Sequence, residues 1–287
     1  MSQAPAFERL LKRDRIITLA GLVTLCALAW LYIVKGAGLG MSARQMTTLA
    51  FFPYQTAQHV MQGMPGMPMD ASALLWTAWG FATWALMILM WWIMMIAMMT
   101  PSAAPTILLY ARVHRAALAR GQLRDEFAPT GAFAAGYLFV WFGFAAGAAA
   151  LHWALERAGL VSTMMMGSRS RWLSGALLIA AGLYQISPLK NLCLAHCRAP
   201  ASFLSRHWHP HALGALRLGA RHGAYCVGCC WILMALLFVG GVMNVIWIAA
   251  LTIMVLIEKV LPLGQWFGRG AGVAFAAWGV ATLVVTP

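Results

Sequence analysis

Seven apolar runs divide the chain, at residues 16–34, 75–99, 131–151, 172–187, 224–243, 245–257 and 272–285. A helix that crosses a bilayer needs roughly 20 mainly apolar residues, and most of these runs approach that length. The fourth is short, but continued past Pro188 into "LKNLCLAHC" it reaches about 20 residues. The fifth and sixth meet at residues 243–244, which leaves room only for a tight turn at a membrane edge. The pattern predicts an all-α fold: a polytopic membrane helix bundle of about seven transmembrane helices, forming a single integral membrane domain over residues 1–287. Two long polar stretches interrupt it, at 35–74 and 188–223, and long loops in a compact bundle are where function collects.

Composition supports this class. Hydrophobic residues make up 62% of the chain and charged residues 9%, a balance that suits a lipid-facing bundle and not a soluble domain of this size. The net charge of +13 could suggest nucleic acid. However, Lys and Arg sit between the apolar runs, as in loops that face an anionic cytoplasmic leaflet. No nucleic-acid partner is expected; the bilayer is. With a cytoplasmic N-terminus, fifteen of the 20 Lys and Arg lie inside, and only Lys35, Arg44, Arg157, Arg169 and Arg171 lie outside. The expected location is a bacterial inner membrane, with the 35–74 loop periplasmic and the 188–223 loop cytoplasmic. No convincing small-residue cleavage site follows the first run, so it is read as a retained span.

Soft-metal donors supply the candidate chemistry. In "WWIMMIAMMTPSAAP" and just before it, Met87, Met90, Met94 and Met98 fall on one narrow helix face, which Met95 and Met99 widen. Thioethers suit Cu(I); methionine also fills cores, so packing is the competing reading. Pro101 and Pro105 are expected to break this helix near the inner surface. The periplasmic loop contains "HVMQGMPGMPMD", in which Gly and Pro separate Met61, Met64, Met67 and Met69. A packed helix cannot use that pattern, so these methionines fit capture of a soft metal or a low-complexity insert.

Five of the six cysteines lie between residues 193 and 230. In "CLAHC", Cys193, His196 and Cys197 are spaced i, i+3, i+4, and in "YCVGCCW" Cys226, Cys229 and Cys230 repeat the spacing. A helix presents each triplet on one face, and two such faces meeting make a thiolate-rich site for a soft cation. Which four donors bind stays open: Cys193, Cys197, Cys226 and Cys230 form one set, with His196 or Cys229 as substitutes. A redox Cys-x-x-Cys is an alternative, and Cys26 reads as packing. His207, His209, His211 and His222, interleaved with Arg, suggest an amphipathic segment at the headgroups. His152 and Glu156 share a helix face without further signal. Glu258 and Lys259 read as interface anchors, with Glu258 alternatively a carboxylate beside the cysteines.

Taken together, "AMMTPSAAP", "GLYQISPLKNLCLAHCRAP", "GAYCVGCCW" and "FVGGVMNVIWIAALTIMVLIEKVLP" resemble the bacterial family of predicted metal-binding integral membrane proteins, a domain of unknown function. The resemblance spans roughly residues 84–262. It implies a multi-spanning inner-membrane protein with a metal site; the matching positions are Met98, Met99, Pro101, Pro105, Pro188, Lys190, Cys193, His196, Cys197, Cys226, Cys229, Cys230, Asn244, Glu258 and Lys259. A looser chemical similarity is to eukaryotic Met-rich copper transporters. In that comparison Met94 and Met98 match their Met-x-x-x-Met helix motif, and Gly143 and Gly147 a small-residue contact. The expected function is soft-metal binding, with copper as the ion and zinc as the alternative. The protein would act in import or in delivery to an assembly pathway, with a cytoplasmic or membrane metalloprotein as partner. A relay through Met61, Met64, Met67, Met87, Met90, Met94 and Met98 would lead to the cysteines, because moving from thioethers to thiolates is downhill for Cu(I). The alternatives are a membrane redox enzyme, against which the lack of an identifiable heme or quinone motif weighs, and a zinc-stabilised scaffold.

Overall fold

A computed structural model describes residues 4–38, 47, 79–121, 128–163, 166–207 and 211–284. Met61, Met64, Met67 and Met69, with the rest of the Met-rich stretch, lie outside the described residues. So does His209.

Among the described residues there are ten helices: α1 Ala4–Val34, α2 Phe81–Ala119, α3 Ala128–Arg157, α4 Arg171–Ile186, α5 Pro188–Arg198, α6 Pro200–His207, α7 Ala212–Ala235, α8 Leu237–Gly240, α9 Val245–Val260 and α10 Gly264–Val284. The chain is all-α, as its apolar runs predict. Five segments are long and apolar enough to cross a membrane: Ile16–Val34, Phe81–Leu118, Pro129–Arg157, Ala212–Gly240 and Gly264–Val284. The bent pair α4–α5 makes a sixth if counted as one span. With 16 residues, α9 is only about 24 Å long and is not among them.

Local sequence explains where the elements depart from the apolar pattern. Pro101 and Pro105 do not end α2, which runs through both to Ala119. The carbonyls left without an N–H partner are those of Ala97 and Pro101, four residues before each proline, while Ser102 Oγ and Tyr137 OH both donate to the Met99 carbonyl between them. The fourth run does not continue straight past Pro188. The Ser187 side chain accepts from Lys190 N and Pro188 sits in the first turn, so a new helix starts there, bent by 63°. The stretch 188–223, expected as a loop, is helical over its described residues apart from Ala199 and His211. Its arginines kept it out of the apolar count, yet Arg217 and Arg221 are exposed on α7 while the opposite face packs.

Glycines set the helix contacts. A Cβ on Gly219 would lie 1.9 Å from Phe133 O, and one on Gly223 3.1 Å from Tyr137 O, so α3 and α7 run side by side, in parallel, in near backbone contact. Gly175 and Gly182 meet Gly279 and Gly272 in the same way, antiparallel, between α4 and α10. Gly143 and Gly147, expected to pack a helix, face open space. α2 and α3 run antiparallel, from Trp79 bonded to Glu156 at one end to Met99 bonded to Tyr137 toward the other. These are called the upper and lower levels below. At the upper level, α8 ends at Gly241 (φ 92°), and Asn244 caps α9 by accepting from Trp247 N and donating to Gly240 O.

Candidate functional site

At the lower level, α7 turns Cys226, Cys229 and Cys230 inward, each about 1% exposed. The bend at Ser187 lays α5 against them. Cys197 stands within interacting reach of both Cys226 and Cys229. Cys193 sits beside Gly228, where a Cβ would come within 2.9 Å of its sulfur. The cysteines of the two triplets are therefore neighbours. On α2, Met99 Sδ lies 3.7 Å from Cys230 Sγ, which links the cysteines to the end of the methionine face.

His196 does not join them. It stacks on Tyr225 with ring centroids 4.1 Å apart, and its Nδ1 bonds Leu192 O on an exposed surface. Met87, Met90, Met94 and Met98 are all buried along α2, as are Met95 and Met99. His222, expected at a surface, is instead buried one turn before Cys226, among Phe133, Tyr137 and Phe203. Cys26 stands apart on α1.

Charge is distributed differently from expectation. Neither Glu258 nor Lys259 reaches an interface; both are buried. The Glu258 carboxylate accepts from Lys190 Nζ at 2.5 Å and from Gln185 Nε2 at 2.5 Å, and Lys190 also donates to Gln185. It is thereby committed away from the cysteines. Lys259 faces them: its ammonium donates to Cys226 Sγ at 2.9 Å and to Ser102 Oγ at 3.2 Å. Tyr137 OH lies 3.2 Å from the same sulfur. Lys259 carried no signal for this role beyond its place among the matching positions of the resemblance, and Tyr137 carried none. One sits in an apolar run beside an acid that suggested anchoring, and the other is a lone aromatic in a span.

Thiols with a thioether alongside are soft donors, the set that suits Cu(I), and a buried ammonium offsets the negative charge of a thiolate. Among the described residues, no three of His, Cys, Asp and Glu are already arranged to hold an ion. Cys229 and Cys230 each donate to the Cys226 carbonyl, at 3.1 Å and 2.8 Å, so binding requires the thiols to rotate off that oxygen.

No curated protein and no solved structure matches the chain. The model of one protein family does match, over residues 88–282. That range takes in the buried methionines of α2 except Met87, both cysteine triplets and the Glu258–Lys259 pair, and its metal-related character agrees with the resemblance carried by the motifs. The family is PpoB2, described as a copper chaperone, and with well over half of its residues matched the chain belongs to it.

Proposed function

We propose that the protein is a copper-handling protein of a bacterial inner membrane that takes Cu(I) onto its buried thiols and passes it on, by import or by delivery to an assembly pathway. The observation that carries this reading is the convergence of Cys197 on Cys226 and Cys229, with the Met99 sulfur beside Cys230. Family membership supports copper as the ion. A thioether next to the thiols favours Cu(I) over zinc, which would use four closed ligands and leave Met99 idle.

A bilayer setting is supported by the large apolar side chains that the helices expose, among them Val23, Phe139, Leu183 and Val273. They would meet lipid. The distribution of Lys and Arg supports a periplasmic upper level and a cytoplasmic lower one. In this orientation the buried methionines of α2 descend from the periplasmic side to the cysteines. Cu(I) would pass from weaker thioether donors to stronger thiolates, with Cys197, Cys226, Cys229 and Cys230 as the resting ligands and Cys193 at the rim. Lys259 holds charge balance there, and Tyr137 and Ser102 fix its surroundings.

The test is Cu(I) stoichiometry of the purified protein under reducing conditions. Replacing Cys193 and Cys197 together by Ala, or Cys226 and Cys230 together, should each remove most of the bound copper. Unchanged stoichiometry in either double variant would overturn the shared site.

A further inference from the structure

Near the upper end of α3, His152 is 1% exposed and its Nδ1 is buried without a hydrogen-bond partner among the described residues. A buried imidazole nitrogen left unpaired costs on the order of 1–3 kcal/mol, so this one calls for an occupant. Aromatic rings surround it: Trp79 with ring centroids 6.0 Å away, Trp91 at 6.5 Å and Phe238 at 5.7 Å, each close to perpendicular to the imidazole. One turn further along α3, Glu156 accepts from Trp79 Nε1 at 3.1 Å and brings a negative charge to the same end.

On the facing helix, Trp84 pairs with Trp153 and Trp91 with His152. Met87, three residues after one tryptophan and four before the other, falls on the face that they define. It is buried as well. Imidazole nitrogen and thioether sulfur are both good donors to Cu(I), and the π faces of the two tryptophans favour a cation nearby.

We propose that His152 is the imidazole ligand of a second soft-metal site, at the upper level, with Met87 as the thioether donor on the opposite helix. This site is separate from the thiol cluster. His152 lies 15 residues along α3 from Tyr137, or about 22 Å. The inference extends the copper reading by giving the ion a docking point at the start of the methionine face. The competing occupant is a water held between His152 Nδ1 and Trp91 Nε1, which is also buried without a partner.

The experiment uses the full-length protein in detergent, loaded anaerobically with Cu(I) against a competing chelator, with copper counted and X-ray absorption recorded at the copper edge. His152→Gln should lose one equivalent of copper and the nitrogen scattering, while the thiol-bound copper stays. Cys226→Ala/Cys229→Ala should do the reverse, losing thiol-bound copper and keeping a nitrogen-containing site. If His152→Gln keeps full stoichiometry and an unchanged spectrum, the second site is overturned and the thiol site stands. If only the histidine variant loses copper, the second site stands and the thiol reading falls. Should His152→Gln lose all copper through misfolding, His152→Met decides. It fills the apolar cage and keeps a soft donor, so it should retain the upper copper with sulfur in place of nitrogen, and loss of that copper would overturn the inference.

Discussion

Adding one methyl group at two glycines of this bundle should shift stability in opposite directions. At Gly219 a Cβ would stand 1.9 Å from Phe133 O, and real Cβ atoms essentially never come within 3.0 Å of another heavy atom. Gly219→Ala must therefore move α7 from α3 by at least about 1.1 Å, against backbone that cannot rotate away. Overpacking of this kind costs about 1–3 kcal/mol. A gap of 0.5–1 Å around the displaced atoms also forfeits roughly a quarter to a half of each dispersion contact. The helix-propensity gain of Ala over Gly, about 0.5–1 kcal/mol, offsets only part of that. The net expectation is a loss of about 1–2 kcal/mol. Gly143 has nothing within 4 Å, so Gly143→Ala keeps the propensity gain alone and should stabilise by up to about 1 kcal/mol. Unfolding of both variants in mixed micelles, followed by tryptophan fluorescence, measures the difference. Gly219→Ala should also weaken copper binding, because Tyr137 and Cys226, 3.2 Å apart, ride on the two helices being separated. Equal stability of the two variants would refute the close approach of α3 and α7.

Glu258→Gln should destabilise by about 3–5 kcal/mol, since it strips a nearly buried Lys190 of its charged partner. Copper capacity should fall with it, because the pair holds α5 and Cys197 against α7, and loss of copper without loss of stability would instead move the carboxylate back beside the thiols. Met94→Leu/Met98→Leu should cost less than about 1.5 kcal/mol yet impair copper delivery in cells while the purified protein still binds copper at its cysteines. Normal delivery in that double variant would reduce the methionine face to packing.

The fold class was legible because apolar runs report helices directly. The i, i+3, i+4 spacing put Cys193, His196 and Cys197 on one helix face, but it could not say which of them turn toward α7: His196 stacks on Tyr225 instead. Other features lay beyond local pattern. Proline is a helix breaker on average, yet α2 runs through Pro101 and Pro105, which the local sequence offers no reason to expect. Gly143 and Gly147 have the spacing of a contact pair, but Gly136, Gly219 and Gly223 make the contact, because the choice of face belongs to the partner helix. His222 sits among arginines in sequence and among aromatic rings in space: Arg221, next to it, points outward while His222 points in.

The least predictable feature is the division of labour between Glu258 and Lys259. Adjacent residues on a helix point about 100° apart, so the two cannot share a neighbour. Glu258 takes Lys190, in the first turn of α5, and at the other end of α5 Arg198 donates to the carbonyls of Leu261 and Pro262, just past α9. The short cysteine-bearing helix is thus fastened at both ends to α9. Cys197 lies two turns after Lys190, on nearly the same face, so the ion pair at one end and the arginine at the other aim it at α7. The pair therefore shapes the thiol cluster without touching it, and Lys259, one residue on from Glu258, turns its charge onto the sulfur that Cys197 meets. Polar residues that cost stability in an apolar bundle are retained here where they hold α5 against α7 and set the charge beside Cys226.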